Sequence, residues 1–138
     1  MTEYGEPKRD VPMTPEIETL SHWYRTMDYE RCLAADIDWE MAERFPEAGR
    51  TKGRENVRAM FARFFERFSD WAIEVEEMIP SDARVVVVGT YSGTAKATGR
   101  SFVVPYCHIW TFANGRMARV RHFANTALMN DALEPLVA

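Results

Sequence analysis

The sequence predicts an α+β domain with helices on one face of a curved antiparallel sheet. Two observations carry this. Helical apolar spacing dominates the first half of the chain, and the second half alternates in strand fashion around turn signals, of which Asn114-Gly115 is the clearest. The 138 residues suit one core, and 46% hydrophobic against 28% charged residues is a globular rather than a disordered composition.

Residues 1–13 are polar, hold two prolines and are expected to form a flexible leader, with a single domain over 14–138. Thr14-Pro15-Glu16 reads as a helix start: threonine caps, proline is tolerated at the first helical position, and glutamate suits the positive helix end. Ile17, Leu20, Tyr24 and Met27 then recur at helical spacing, and Asp28 is placed to cap a short helix running through Cys32 and Leu33. Residues 37–45 alternate loosely as a first strand, and Pro46, Gly49 and Gly53 mark a loop. From Arg54, the stripe Val57, Met60, Phe61, Phe64 and Phe68 reads as the core face of a helix. Strands follow from Trp71 to Ile79, from Val85 to about Ala97, from Arg100 to Phe112 and from Arg116 to Phe123, and TALMNDAL closes the chain as a short helix.

Composition excludes several function classes. The net charge is −4 and no Lys/Arg block stands out, which argues against nucleic acid as a partner. No apolar run approaches the roughly 20 residues of a membrane helix, and the N-terminus lacks a signal-peptide pattern. A cytoplasmic protein is expected, with Cys32 and Cys107 as free thiols. The three histidines fall on different elements without metal-ligand spacing, so no metal and no cofactor is expected.

The hairpin supplies the sharpest site expectation. If Asn114 and Gly115 are the two central turn residues, Ala113 faces Arg116, and counting outward sets Cys107 directly opposite His122. Their β-carbons would then lie about 4.5–5.5 Å apart on one face, unless a bulge shifts the register. An imidazole beside a thiol lowers the thiol's pKa and gives a nucleophile with an acid partner. The plain alternative is a cavity-wall cysteine beside a hydrogen-bonded histidine. In this register Tyr106 and His108 point to the outer face. Asp38 or Glu40 on the first strand is a possible partner carboxylate for His122.

Several stretches, taken in order, resemble the SnoaL-like branch of the nuclear transport factor 2-like superfamily, which includes ketosteroid isomerase. MDYERCLAADIDWE resembles the end of the first helix, the short helix and the first strand. FPEAGRTKGRENVRAMF resembles the loop that starts the long helix, and GTYSGTAKATGR with HIWTFANGRMARVRHF resembles the paired strands and hairpin. The resemblance implies a cone-shaped barrel, its curved sheet wrapped around a long N-terminal helix, with a deep apolar pocket and commonly a homodimer through the outer sheet face. It does not by itself fix the chemistry. The ketosteroid isomerase residues do not carry over. The oxyanion tyrosine falls near Leu20, with Tyr24 one turn later. Phe45 precedes Pro46 where the base is expected, Cys107 stands at the second oxyanion position, and Asn125 stands where SnoaL-like cyclases often have aspartate.

The expected function is binding of a small hydrophobic molecule by a cofactor-free acid/base enzyme: an isomerase, a dehydratase or a polyketide-type cyclase. The alternative is a non-catalytic ligand-binding or dimerisation module. His122 is the expected proton carrier and Cys107 its partner. The resemblance places Val103, Pro105, Ile109, Val120 and Ala124 on the pocket side, and Trp39, Tyr91 and Asn125 complete the expected binding set.

Overall fold

A computed structural model describes residues 3–5 and 13–134, with side chains over 13–134. The elements run β1 (Glu3–Gly5), α1 (Pro15–Thr26), α2 (Tyr29–Cys32), β2 (Leu33–Met41), β3 (Gly49–Lys52), α3 (Arg54–Phe65), β4 (Phe68–Ser81), β5 (Arg84–Ala95), β6 (Ser101–Ala113), β7 (Arg116–Ala124) and α4 (Thr126–Leu133). One sheet holds all seven strands in the order β1-β4-β5-β6-β7-β2-β3. It is curved and unclosed, with α1 and α3 packed on its concave face, which is the expected α+β class. It is mixed rather than purely antiparallel, because β1–β4 and β2–β7 pair in parallel. Part of the expected leader is therefore a strand, since Glu3–Gly5 pairs along Ala72–Glu74. Residues 1–2 and 6–12 of that leader lie outside the described residues.

Local chemistry sets the boundaries. Thr14 accepts a hydrogen bond from the Ile17 N–H at 3.2 Å with Pro15 at the first helical position, and Asp28 caps α2 through Arg31. α1 ends at Met27, whose left-handed backbone (φ 50°) returns its N–H to the Trp23 carbonyl. The first strand starts at Leu33 and stops at Met41, not at residue 45. Arg44 and Glu47 adopt left-handed backbone, which breaks the ladder there.

The hairpin forms as the sequence predicts, with Asn114 and Gly115 both at positive φ (52° and 77°) and Ala113 opposite Arg116. The register then slips by one. Phe112 pairs with Met117 but Thr111 pairs with Arg119, so Ala118 is an unpaired bulge residue. Beyond the bulge His108 faces His122, and Cys107 faces Phe123. The expected Cys107–His122 pair does not exist. Its faces are inverted on β6: Phe102, Val104, Tyr106, His108, Trp110 and Phe112 are buried, while Val103 and Pro105 are exposed. The slip inverts β7 and leaves the alternation of β6 unbroken: a straight ladder would turn Arg119 and Arg121 inward opposite Trp110 and His108, and the bulge turns Val120 and His122 inward instead. Burying unpaired arginines would cost far more than the about 0.5–1.5 kcal/mol of each ladder bond lost at the bulge.

Behind Tyr106, the strands approach too closely for any side chain at Gly89. A Cβ there would lie 1.9 Å from the Glu74 carbonyl oxygen and 2.6 Å from the Tyr106 hydroxyl. Tyr106 in turn donates to that carbonyl at 3.1 Å. Gly89→Ala is expected to destabilise the fold by about 1–3 kcal/mol through overpacking, read as a lower urea midpoint with an unchanged slope.

Candidate functional site

The bulge brings two histidines together inside the sheet. The His108 and His122 rings lie 5.4 Å apart, both nearly sealed from solvent at 5% and 3% exposure. They form one end of a cavity whose walls include Trp23, Trp39, Phe45, Phe61, Trp71 and Tyr91. Its free volume is about 50 Å³, and at roughly 10–15 Å³ per water that is room for a few water-sized groups. An outer groove of about 520 Å³ shares Met27, Phe61 and Phe65 with the cavity, so these three side chains form a wall common to both.

His108 sits in the middle of a hydrogen-bonded chain. Its Nδ1 is 2.7 Å from the Tyr24 hydroxyl and its Nε2 is 2.5 Å from the Tyr91 hydroxyl. Trp110 Nε1–H donates to the Tyr24 oxygen at 2.9 Å. Burial, reinforced by His122, holds the His108 pKa well below its ordinary value, so the ring is neutral and carries one proton. With that proton on Nε2, Tyr24 donates to Nδ1 and His108 donates to Tyr91, which leaves the Tyr91 hydroxyl proton for a ligand. With it on Nδ1, both directions reverse. Burial, then the neighbouring Tyr106 and Cys107, raise the Tyr91 pKa well above the usual phenol value, so Tyr91 stays protonated.

His122 has a single tautomer. The Ala42 N–H donates to its Nδ1 at 3.2 Å, so the proton of the neutral ring is on Nε2. Nε2 has no partner. Burial pushes the His122 pKa from 6.5 down to about 3. His122 thus presents a fixed N–H donor near neutral pH rather than a base, which corrects the expected role. Phe45 packs 4.5 Å from its ring, on a loop tied down by ion pairs from Glu47 to Arg63 and Arg67 at 2.9 Å.

The other expected site residues separate into two groups. Tyr91 and Trp39 line the cavity. Val120 is on the inner face, fully buried, and Ala124 is half-buried against the core. Val103, Pro105, Cys107 and Ile109 lie on the outer face, because β6 alternates without a break and its even-numbered residues, Phe102 to Phe112, point inward. Burial raises the Cys107 thiol pKa, the opposite of an activated thiolate. Asn125 accepts from the Leu128 N–H at 3.1 Å and caps α4. Asp38 pairs with Arg50 at 2.6 Å, and Glu40 lies 3.5 Å from Arg119, both on the outer side of β2. Among the described residues, no carboxylate lines the cavity.

His108, Tyr24 and Trp110 were not assigned to the site from the sequence. The signal was present in β7, where Met117 and Val120 are three residues apart. Strict alternation cannot bury both.

The comparisons agree with this architecture. The SnoaL-like domain family model matches residues 24–120, which is more than half of the chain. The chain belongs to the SnoaL-like domain family. No curated protein sequence matches it. An NTF2-like protein of unknown function from Burkholderia pseudomallei superposes with a TM-score of 0.82 at 26% identity, covering 89% of this chain and all of that one. TerC, co-crystallised with polyporic acid, superposes at 0.78 with 23% identity, covering 86% of this chain and 98% of its own. A proposed SnoaL-like polyketide cyclase from Jannaschia superposes at 0.78 with 19% identity, covering 95% and 100%. The last two are likenesses of fold.

The buried neutral histidines give the SnoaL-like domain a pH signature. Between about pH 6.5 and pH 3 the unfolded chain binds protons that the folded one refuses, so stability falls as pH falls. The slope is about 1.4 kcal/mol per pH unit for each histidine. Urea unfolding from about pH 6 down to about pH 5 should show that loss, and His122→Gln should remove about half of it.

Proposed function

We propose that the cavity binds a small hydrophobic carbonyl compound and that the protein is a cofactor-free acid/base enzyme acting on it. The unpartnered His122 Nε2–H inside an aromatic cavity, with no carboxylate among the described residues that line it, carries this reading. A fixed donor in a dry site favours an oxygen that gains negative charge. Tyr91, held protonated, donates a second hydrogen bond to that oxygen when the His108 proton is on Nε2. Stabilising the negative charge that develops on a carbonyl oxygen is a requirement common to isomerase, dehydratase and cyclase chemistry. Co-crystallisation of the fold neighbour TerC with polyporic acid supports a small-molecule role for this architecture.

One observation favours a second reading, a non-catalytic binding module. Among the described residues no carboxylate lines the cavity, and both histidines are too acidic in their protonated forms to be strong bases. A panel of cyclic enones and β-hydroxyketones, scored for tryptophan-fluorescence binding and for turnover, separates the two. The enzyme reading expects Tyr91→Phe to lower turnover about 10²–10⁴-fold with Kd nearly unchanged. Binding without turnover across the panel establishes the module instead.

We also propose a homodimer through the outer sheet face. Val103 is 63% exposed and Phe123 43%, and both flank Pro105, Cys107 and Ile109 on neighbouring strands. Sedimentation should give twice the monomer mass at micromolar concentration, and Val103→Glu should return the monomer.

A further inference from the structure

Among the described residues, three buried side-chain atoms lack a hydrogen-bond partner: Trp39 Nε1, Arg54 Nε and His122 Nε2. Two of these belong to walls of the same cavity. Unpartnered buried donors are rare in native folds, because their desolvation goes uncompensated. Tryptophan usually finds a partner when buried, and the neighbouring Trp110 does so, donating to Tyr24. Trp39 packs 5.2 Å from Trp110 without one.

The two donors are neighbours in the sheet. Trp39 pairs with Val120 in the parallel β2–β7 ladder, and His122 is the next inward residue on β7. An aromatic ring covers each: Phe61 lies edge-on to Trp39 at 5.0 Å, and Phe45 lies beside His122. Phe61 also belongs to the wall shared with the outer groove.

We infer that the Trp39 indole N–H is a second ligand-binding donor, and that the cavity selects a compact, mostly apolar, uncharged molecule carrying two acceptor oxygens. One oxygen is held by His122 Nε2–H and the other by Trp39 Nε1–H. Among the described residues no lysine or arginine lines the cavity, so a carboxylate would find no counter-charge on these walls. Two neutral oxygens satisfy both donors without burying an ion. The inference rests on the cavity being the ligand site proposed above.

The test is an NMR titration of ¹⁵N-labelled protein with cyclohexane, cyclohexanone and cyclohexane-1,4-dione, following the Trp39 indole signal assigned by Trp39→Phe. The dione is expected to move the indole proton downfield and to bind up to about tenfold more tightly than cyclohexanone, as one added hydrogen bond allows. Trp39→Phe should bring that ratio close to one. Should Trp39→Phe fail to fold, elimination with Trp23→Phe, Trp71→Phe and Trp110→Phe assigns the wild-type signal. A dione that binds without moving the Trp39 signal overturns the second donor and leaves the cavity assignment standing. If none of the three compounds binds, the cavity assignment itself falls, and this inference falls with it.

Discussion

Ala118 has no partner across the β6–β7 ladder, and every inward side chain beyond it takes its place from that single extra residue. The hairpin turn alone would set Cys107 against His122. The bulge instead turns Val120 and His122 of β7 inward and sets His122 against His108. Because side chains alternate faces with a period of two, one inserted residue exchanges the whole inner and outer set of the strand that carries it. His122 is thereby delivered to the face that His108 already occupies, while Cys107 stays on the other face of the unbroken β6.

Low dielectric then decides what the two histidines can do. Neither can carry a proton cheaply, so both act through neutral tautomers. The Ala42 N–H fixes the tautomer of His122, whereas two tyrosines leave His108 able to pass a proton either way. The histidine most exposed to a simple pKa argument is therefore a fixed donor. The other, buried between two phenols, can hold its proton on either nitrogen. An aromatic enclosure strengthens each of these hydrogen bonds and equally penalises each one left unmade.

Packing holds this polar pair in position. Phe45 covers His122 from a loop pinned by Glu47 to α3 and by Asn130 to α4. Met27, at the left-handed end of α1, meets Phe61 and Phe65 of α3 between the cavity and the outer groove. Access to the donors thus depends on three apolar side chains with no polar anchor, while the donors themselves are fixed by the strands.

Local chemistry in the sequence determined the helix caps at Thr14 and Asp28, the stripe of α3 from Val57 to Phe64, the strand-rich second half and the Asn114-Gly115 turn, because each is decided within a few residues of chain; Phe68, expected on that helix, instead starts β4. His122, Tyr91 and Trp39 were also named from the sequence as site candidates, and all three line the cavity. Tertiary structure decided the register beyond the bulge, the parallel pairing of β1 and β2, and with them the identity of the site. Those features depend on which set of side chains fills one shared interior, and turning Val120 and His122 inward in place of Arg119 and Arg121 outweighs the hydrogen bonds a straight ladder would keep. A residue's chemistry is written in its type, but its environment is set by neighbours tens of residues away.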